Sequence, residues 1–243
     1  YPVICLTISC GALSGFHATQ SPIISRTINS EKDGRKIFYG MMILEAVIAM
    51  IWAAAAMSLM NGEDLSVLLA NGGPAAVVNK IAVVFLGTVG GTIAVLGVIV
   101  LPITSGDTSF RAARMIIADY LKIDQKVLRN RFMVAIPLFV ISYILTNMDF
   151  GLLWRYFSWA NQITAAIALW IGAVYLYQNK THYIIALAPA FFITSVVGSY
   201  LFYDPTIGFG LEVMTSNLIG LAITIALTAF FFSVMKKREK VIE

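Results

Sequence analysis

The chain has 243 residues, of which 59% are hydrophobic and only 12% are charged. A soluble domain is roughly 45–50% apolar and about 25% charged, so this composition excludes an ordinary water-soluble fold. The net charge of +4 does not indicate nucleic-acid binding, because the basic residues stand in short segments between apolar blocks of about 20 residues, the length of a membrane-spanning helix.

Seven apolar blocks predict an all-α, polytopic bundle of transmembrane helices whose surroundings are the lipid bilayer. The predicted spans are residues 1–16, 37–60, 81–104, 132–148, 158–177, 183–203 and 214–235. The first block is short and contains glycine, and the chain does not begin with methionine. We therefore expect residues 1–243 to form one transmembrane domain, a C-terminal-side fragment of a longer membrane protein.

Basic residues indicate the orientation of the helices, because they accumulate in cytoplasmic loops. Fifteen of the 17 basic residues follow the first, third, fifth and seventh predicted spans, and only Lys80 and Arg155 fall in the other loops. This partition predicts a cytoplasmic C-terminus.

The loop after the third predicted span combines apolar and charged residues with a helical period over about residues 107–128. We interpret this segment as a helix that lies along the cytoplasmic interface. An amphipathic helix on the lipid surface and a helix with a gating role both fit the pattern.

A polar, glycine-containing segment ends the first apolar block. Gly11, Gly15 and Pro22 can break a helix at membrane depth, and broken backbone persists in a bilayer only where protein buries it or a wet cavity adjoins it. In secondary transporters such half-helices present free backbone groups and hydroxyls to substrate and ions. The alternative is an ordinary span end that faces cytoplasmic water. The candidate ligands are His17, Thr19, Gln20 and Ser21.

Glu45 is the one acidic residue well inside a predicted span. A carboxylate at that depth costs on the order of 2.5–3.5 kcal/mol on insertion scales, so it should face the helix bundle and not the lipid. A carboxyl that takes up and releases a proton would couple transport to protons. A carboxyl that is hydrogen-bonded to neighbouring hydroxyls would instead have a structural role.

The third predicted span contains four glycines and ends in a polar sequence. Small residues allow separate helices to pack closely, which explains the glycines. Pro102 removes a helical donor and Gly106 loosens the chain, so oxygen atoms could collect there and coordinate a cation or a substrate amine. Alternatively, Asp107 or Ser109 caps the interfacial helix. The candidate ligands are Thr104, Ser105, Asp107 and Thr108.

Two adjacent amides, Asn161 and Gln162, enter an apolar block near the outer end of the fifth predicted span. Buried amides need hydrogen-bond partners. We expect these two to bind either backbone groups of another span or a substrate.

The sequence lacks the signatures of catalysis and of metal binding. It contains no G-x-S-x-G, H-E-x-x-H or Walker A motif, and its two histidines, His17 and His182, fall in different predicted loops. Cys5 and Cys10 do not have the spacing of a metal or redox motif, so we interpret both as small buried residues. We therefore expect no enzyme activity, no cofactor and no metal site.

Long motifs along the chain carry a family resemblance. They are S-G-F-H-A-T-Q-S-P at 14–22, R-T at 26–27, F-Y-G at 38–40, I-L-E-A-V-I-A-M-I-W-A-A-A-A at 43–56, L-P-I-T-S-G-D-T-S-F-R-A-A-R at 101–114 and L-W-R-Y-F-S-W-A-N-Q at 153–162. Together they extend across most of the chain, and they resemble the carbon starvation protein A family.

The resemblance implies an inner-membrane carrier, induced in carbon starvation, that takes up peptides; some members take up pyruvate with protons. It also implies a fold similar to the amino acid and polyamine transporters, with inverted repeats and broken helices, in which the remaining N-terminal part of the same transporter supplies half of the path. We expect a secondary active importer of small peptides, coupled to protons or Na+. The alternatives are a pyruvate/proton symporter and, outside the family, a membrane-embedded sensor or enzyme. No basic residue falls inside a predicted span, which favours a peptide over an anion.

Overall fold

The structure is a computed structural model that describes residues 2–9, 13–60 and 62–242. Within these residues, six helices are long and apolar enough to cross a membrane, and there is no β-strand. The prediction of an all-helical protein with several candidate membrane spans is therefore confirmed. The candidate spans are Glu31–Leu59, Asp64–Tyr120, Leu128–Leu145, Phe150–Gln178, Ile184–Tyr203 and Val213–Lys237.

Eight α-helices follow one another in the described ranges. A 3-10 turn at Glu31–Asp33 and a π-helical turn at Arg35–Gly40 lead directly into the third of them. The helices are α1 Ile4–Thr7, α2 Gly15–Ser25, α3 Met41–Leu59, α4 Gly62–Tyr120, α5 Leu128–Leu145, α6 Phe150–Gln178, α7 Ile184–Tyr203 and α8 Val213–Ile242.

The first predicted span, residues 1–16, is wrong as a continuous helix in the part that the structure describes. α1 is a single turn, and the residues just before α2 are not helical. Ser14 has extended backbone, and its hydroxyl accepts a hydrogen bond from the Phe16 N–H at 3.1 Å, which caps α2. A new helix thus begins at Gly15, as a break predicts, but it continues through Pro22.

The chain divides into two compact units, of which the first comprises Tyr1–Arg26 and Pro137–Glu243. In this unit α7 packs against α6 and α8, while α1 and α2 pack against α6. One core cluster consists of Cys5, Ala166, Ile193, Val196, Val197 and Tyr200. A second consists of Ala173, Ala186, Phe231 and Met235. Because α7 contributes to both clusters, it is the central helix of the unit.

Two glycines permit close packing of α7 on α8. A Cβ placed on Gly198 would lie 3.2 Å from the Gly220 Cα. A Cβ placed on Gly220 would lie 2.8 Å from the Ser195 carbonyl oxygen. Small residues let the two backbones approach, as is common for membrane helices, at a contact that the sequence analysis did not single out.

The second unit, Thr27–Ile136, contains α3, α4 and the first half of α5. α4 is not one straight helix, because Gly73 and Gly87 have φ angles of 64° and 70°, which interrupt it. A Cβ on Gly91 would lie 2.9 Å from the Val83 Cα, across the second interruption. The helical stretches on either side of Gly87 thus pack closely at Gly91, backbone to backbone, as small residues permit.

The predicted break at the end of that span is wrong. The chain stays helical past Pro102 and Gly106, so neither residue opens it, and no new helix begins there to be capped. The helix ends at Tyr120, and residues 121–127 are not helical. The predicted interfacial helix, about 107–128, is thus continuous with the preceding span, and its position at a membrane surface stays a prediction.

Candidate functional site

The non-helical residues before α2 are held by two adjacent amide side chains of α6. Asn161 Nδ2 donates to the Ser9 carbonyl oxygen, and Asn161 Oδ1 accepts from the Phe16 N–H at 3.1 Å. Gln162 Nε2 donates to the Leu13 carbonyl oxygen at 2.8 Å. The two amides therefore bind backbone groups of another segment, which is one of the two roles that the sequence left open.

Gly15 permits this close contact. A Cβ on Gly15 would lie 2.6 Å from the Thr164 Cβ and closer still to the Asn161 carbonyl oxygen, so α2 begins against the α6 backbone. Nearby, the Ser9 and Ser158 hydroxyls are hydrogen-bonded with 3.2 Å between their oxygens, and both serines are fully buried. The described residues before α2 thus contact three polar side chains of α6, those of Ser158, Asn161 and Gln162.

These contacts lie far from the ends of α6. Asn161 is 11 residues after Phe150, where α6 begins, or about 17 Å along the helix axis at 1.5 Å per residue. α6 is itself a candidate membrane span. Non-helical backbone at the depth of a span is tolerated only where protein or a wet cavity satisfies its polar groups, and here side chains of α6 satisfy several of them.

Two of the four candidate ligands on α2 bond to their own helix. Thr19 Oγ1 donates to the Phe16 carbonyl oxygen at 2.8 Å. Ser21 Oγ donates to the His17 carbonyl oxygen at 2.7 Å, and the His17 ring packs edge-on against the Phe16 ring with centroids 6.1 Å apart. The hydroxyls of Thr19 and Ser21 therefore already use their donor protons.

Gln20 is the fourth candidate on α2, and it differs from the others. Its side chain is only 4% exposed, yet neither Nε2 nor Oε1 has a hydrogen-bond partner among the described residues. Gln162 is fully buried, and its Oε1 is likewise unpaired. Two of the predicted site residues thus keep unused hydrogen-bonding groups in the interior of the first unit.

A buried carboxylate was missed in the sequence. Asp204 directly follows α7 and is 1% exposed. Its Oδ2 accepts from the Tyr200 hydroxyl at 2.8 Å and from the Arg155 guanidinium, and its Oδ1 accepts from the Thr206 N–H at 2.8 Å. Burial alone would raise the pKa of this carboxyl, but these donors hold the pKa below its usual value.

Arg155 also corrects one premise of the sequence analysis. The predicted fifth span began at residue 158, whereas α6 begins at Phe150, so Arg155 lies inside a candidate span. The helical spacing of Tyr200 and Asp204 was visible in the sequence. Their pairing with a residue 49 positions away from Asp204 was not.

Three of the four candidate oxygen ligands of α4 have partners within their own helix. Thr104 Oγ1 donates to the carbonyl oxygen three residues earlier, and Thr108 Oγ1 donates to the Thr104 carbonyl oxygen. Asp107 pairs with Arg111 one turn later, with 2.7 Å between Oδ2 and Nη2. Ser105 is exposed. Coordination of a cation or an amine by these residues stays a prediction.

Glu45 is half-buried on α3. It belongs to the second unit, whereas the candidates on α2 and α6 belong to the first. A role of Glu45 in proton coupling stays a prediction.

Cys5 is fully buried and not in a disulfide, which confirms its interpretation as a small buried residue. Cys10 lies outside the described residues. Within the described part of the chain, His, Cys, Asp and Glu side chains do not form a group of three or more that could hold a metal ion.

Residues 1–84 match the family model described as carbon starvation protein CstA. A Haemophilus influenzae protein described as uncharacterized is 55% identical over 112 residues, which cover 46% of this chain and 81% of that protein. The peptide transporter CstA of Bacillus subtilis is 24% identical over 234 residues, which cover 76% of this chain and 39% of that transporter. The pyruvate/proton symporter BtsT of Escherichia coli is 40% identical over 57 residues, covering 23% of this chain and 8% of that symporter.

The chain spans less than half the length of these two named transporters. No solved structure matches it. The matched residues 1–84 include the capped start of α2 and Glu45, which carry two of the motifs that suggested the family. With its several candidate membrane spans, this multi-pass membrane protein belongs to the carbon starvation protein CstA family.

Proposed function

We propose that this protein is a secondary active transporter that imports small peptides across the inner membrane during carbon starvation, coupled to protons or Na+. The observation that carries the proposal is the backbone at Leu13 and Ser14, which leaves the helical form beside the middle of α6. Secondary transporters form their substrate and ion sites from such interrupted backbone. The relatives named as a peptide transporter and as a pyruvate/proton symporter support transport as the activity.

The proposed fold is that of the amino acid and polyamine transporters, with inverted repeats. Its support is α2, which begins as a new, capped helix after non-helical backbone. In transporters with broken helices, the interrupted segments meet near the membrane midplane and line the binding site. In this proposal Asn161 and Gln162 hold the interruption in place, and His17 and Gln20 on α2 line the path.

We place the C-terminus of the protein in the cytoplasm. The observed helices omit the first predicted span, but that span lies at the beginning of the chain. Its omission leaves the alternation of basic and non-basic loops between the later helices unchanged.

Pyruvate taken up with a proton is the second candidate, favoured by the Escherichia coli relative. An anion needs positive charge along its path, and α6 carries Arg155. The Arg155 guanidinium is paired with the buried Asp204 carboxylate, so its charge is neutralised within the protein. A peptide therefore remains the first candidate.

Uptake into proteoliposomes tests the proposal. A labelled dipeptide and labelled pyruvate are offered separately, with and without an imposed proton gradient, and with Na+ or K+ outside. We expect gradient-driven accumulation of the dipeptide that a protonophore or removal of Na+ abolishes. Accumulation of pyruvate alone would replace the first candidate with the second. If neither cargo accumulates against its gradient, secondary active transport of both is rejected.

A further inference from the structure

Four buried polar atoms on α2 and α6 lack hydrogen-bond partners among the described residues. They are Gln20 Nε2, Gln20 Oε1, Trp159 Nε1 and Gln162 Oε1. A buried polar group without a partner has lost its hydrogen bonds to water and gained none, so such groups are rare in folded proteins. The two helices that carry these atoms, α2 and α6, pack against each other, and a bound partner of matching chemistry would supply the missing hydrogen bonds.

The orientation of the Gln162 amide is fixed by its other end. Because Nε2 donates to the Leu13 carbonyl oxygen, reversal of the amide would place two oxygens against each other. Oε1 is therefore the unpaired atom. Trp159 lies three residues earlier on α6, so its indole and the Gln162 amide share one face of the helix.

The unpaired atoms are of both kinds. Gln20 Nε2 and Trp159 Nε1 are donors, whereas Gln20 Oε1 and Gln162 Oε1 are acceptors. A peptide group supplies a C=O for the donors and an N–H for the acceptors. A 2-oxo acid anion has only acceptor oxygens and would leave both glutamine oxygens unpaired. A metal cation could bind the oxygens but not the N–H groups.

Asn161 provides the contrast on the same helix. Both ends of its amide are used, since Nδ2 binds the Ser9 carbonyl oxygen and Oδ1 binds the Phe16 N–H. Asn161 thus has a complete structural role. In the neighbouring Gln162 only the Nε2 end of the amide is hydrogen-bonded, and in Gln20 neither end is.

We infer that Gln20 and Gln162 bind main-chain amide groups of a peptide cargo, an inference that rests on the proposed function. Gln20 donates to a cargo carbonyl and accepts from a cargo N–H, and Gln162 Oε1 accepts from a cargo N–H. Because these groups occur in every peptide, the site recognises the main chain and tolerates different side chains.

The ligand test compares alanyl-alanine with alanyl-lactate, in which an ester oxygen replaces the peptide N–H. Binding to the purified wild-type protein is measured from the rise in unfolding temperature with ligand concentration. We expect the dipeptide to bind at least about tenfold more tightly than the ester, a ratio that corresponds to about 1.4 kcal/mol. Equal binding of the two would overturn the inference, and this test needs no variant.

The variant test uses Gln20→Met, with Gln178→Met at the exposed end of α6 as the matched control. We expect Gln20→Met to weaken dipeptide binding at least about tenfold. Its unfolding temperature without ligand should equal or exceed that of the wild type, because an unpaired buried amide is removed. A lower unfolding temperature together with unchanged dipeptide binding would make Gln20 a structural residue and overturn the inference.

Different measurements would overturn the proposed cargo and the proposed role of Gln20. Wild-type protein that accumulates pyruvate but not the dipeptide would overturn the proposed cargo. Dipeptide uptake that is the same in the wild type and in Gln20→Met would overturn only the inference. Stabilisation by NaCl that Gln20→Met abolishes, with no effect of the dipeptide, would assign the glutamine oxygens to a cation and likewise overturn it.

Discussion

Gly220 of α8 lies directly against the backbone of Ser199 in α7. A Cβ on Gly220 would lie 2.6 Å from the Ser199 N, a separation that real Cβ atoms essentially never show. Since the obstacle is backbone, it cannot rotate aside as the tip of a flexible side chain would. Any larger residue at position 220 must separate the two helices.

We therefore expect Gly220→Val to lower the unfolding temperature and the yield of folded protein, with a loss of about 2 kcal/mol or more. Thermal unfolding of the purified protein in detergent measures the effect. Gly97→Ala is the control, because an added Cβ there meets nothing within 4 Å. A Gly220→Val variant as stable as Gly97→Ala would contradict the contact.

Asn161→Leu is expected to release the segment before α2. It removes the Asn161 partner of the buried Ser9 carbonyl, while the Phe16 N–H keeps the Ser14 hydroxyl as its acceptor, at a cost of about 1–3 kcal/mol for the buried carbonyl. Hydrogen exchange of the N-terminal peptide should accelerate, and uptake should fall. Asn179→Leu, at the exposed end of α6, should change neither. Unchanged exchange in Asn161→Leu would mean that the segment is held by other contacts.

Asp204 is expected to make the protein sensitive to acid. The pKa of its carboxyl is lower in the folded protein than the usual value of 3.8. The ionised group therefore stabilises the folded state above that pH, and this contribution is lost as the pH falls from 3.8 through the lower, folded pKa. The unfolding temperature of the wild type should fall in this range more steeply than that of Asp204→Asn.

Asp204→Asn should also be less stable than the wild type at neutral pH, by about 1–3 kcal/mol. The change removes the charge that pairs with Arg155, whose side chain is 41% exposed and so keeps part of its hydration. Asp149→Asn is the control, because Asp149 is an exposed carboxylate that caps α6. It measures the effect on stability of losing a charge that is not buried. Parallel stability curves against pH for wild type and Asp204→Asn would exclude a role of the buried carboxylate.

Glu45→Gln tests the proposed coupling to protons. Glutamine has the size of glutamate but cannot release a proton, so we expect reduced uptake or uptake that no longer depends on external pH. The measurement is the initial rate of dipeptide uptake over a range of external pH. Glu31→Gln, on an exposed turn before α3, is the control. Proton-coupled uptake that is unchanged in Glu45→Gln would remove Glu45 from the mechanism.

Local sequence features predicted that two adjacent amides on α6 need hydrogen-bond partners. Asn161 and Gln162 stood out because adjacent amides in an apolar block need partners, and the structure supplies backbone partners for both. The sequence indicated that the glycines of α4 serve contacts between helices. It did not reveal the interruption at Gly87, because a glycine with a positive φ angle looks the same in a sequence as a glycine that packs against a neighbour. Pro102 was expected to open a helix that in fact continues past it.

The sequence by itself determined that this protein is an all-helical membrane protein of the carbon starvation family. Apolar length and basic loops are local properties, and each helix in lipid satisfies its own backbone. Only the tertiary structure decided that Gln162 reaches the Leu13 carbonyl, that Asp204 pairs with Arg155, and that Gln20 stays unpaired in the interior. These outcomes depend on which segments pack together, and a hydrogen bond between residues far apart in the chain exists only once packing has brought its two atoms within about 3 Å.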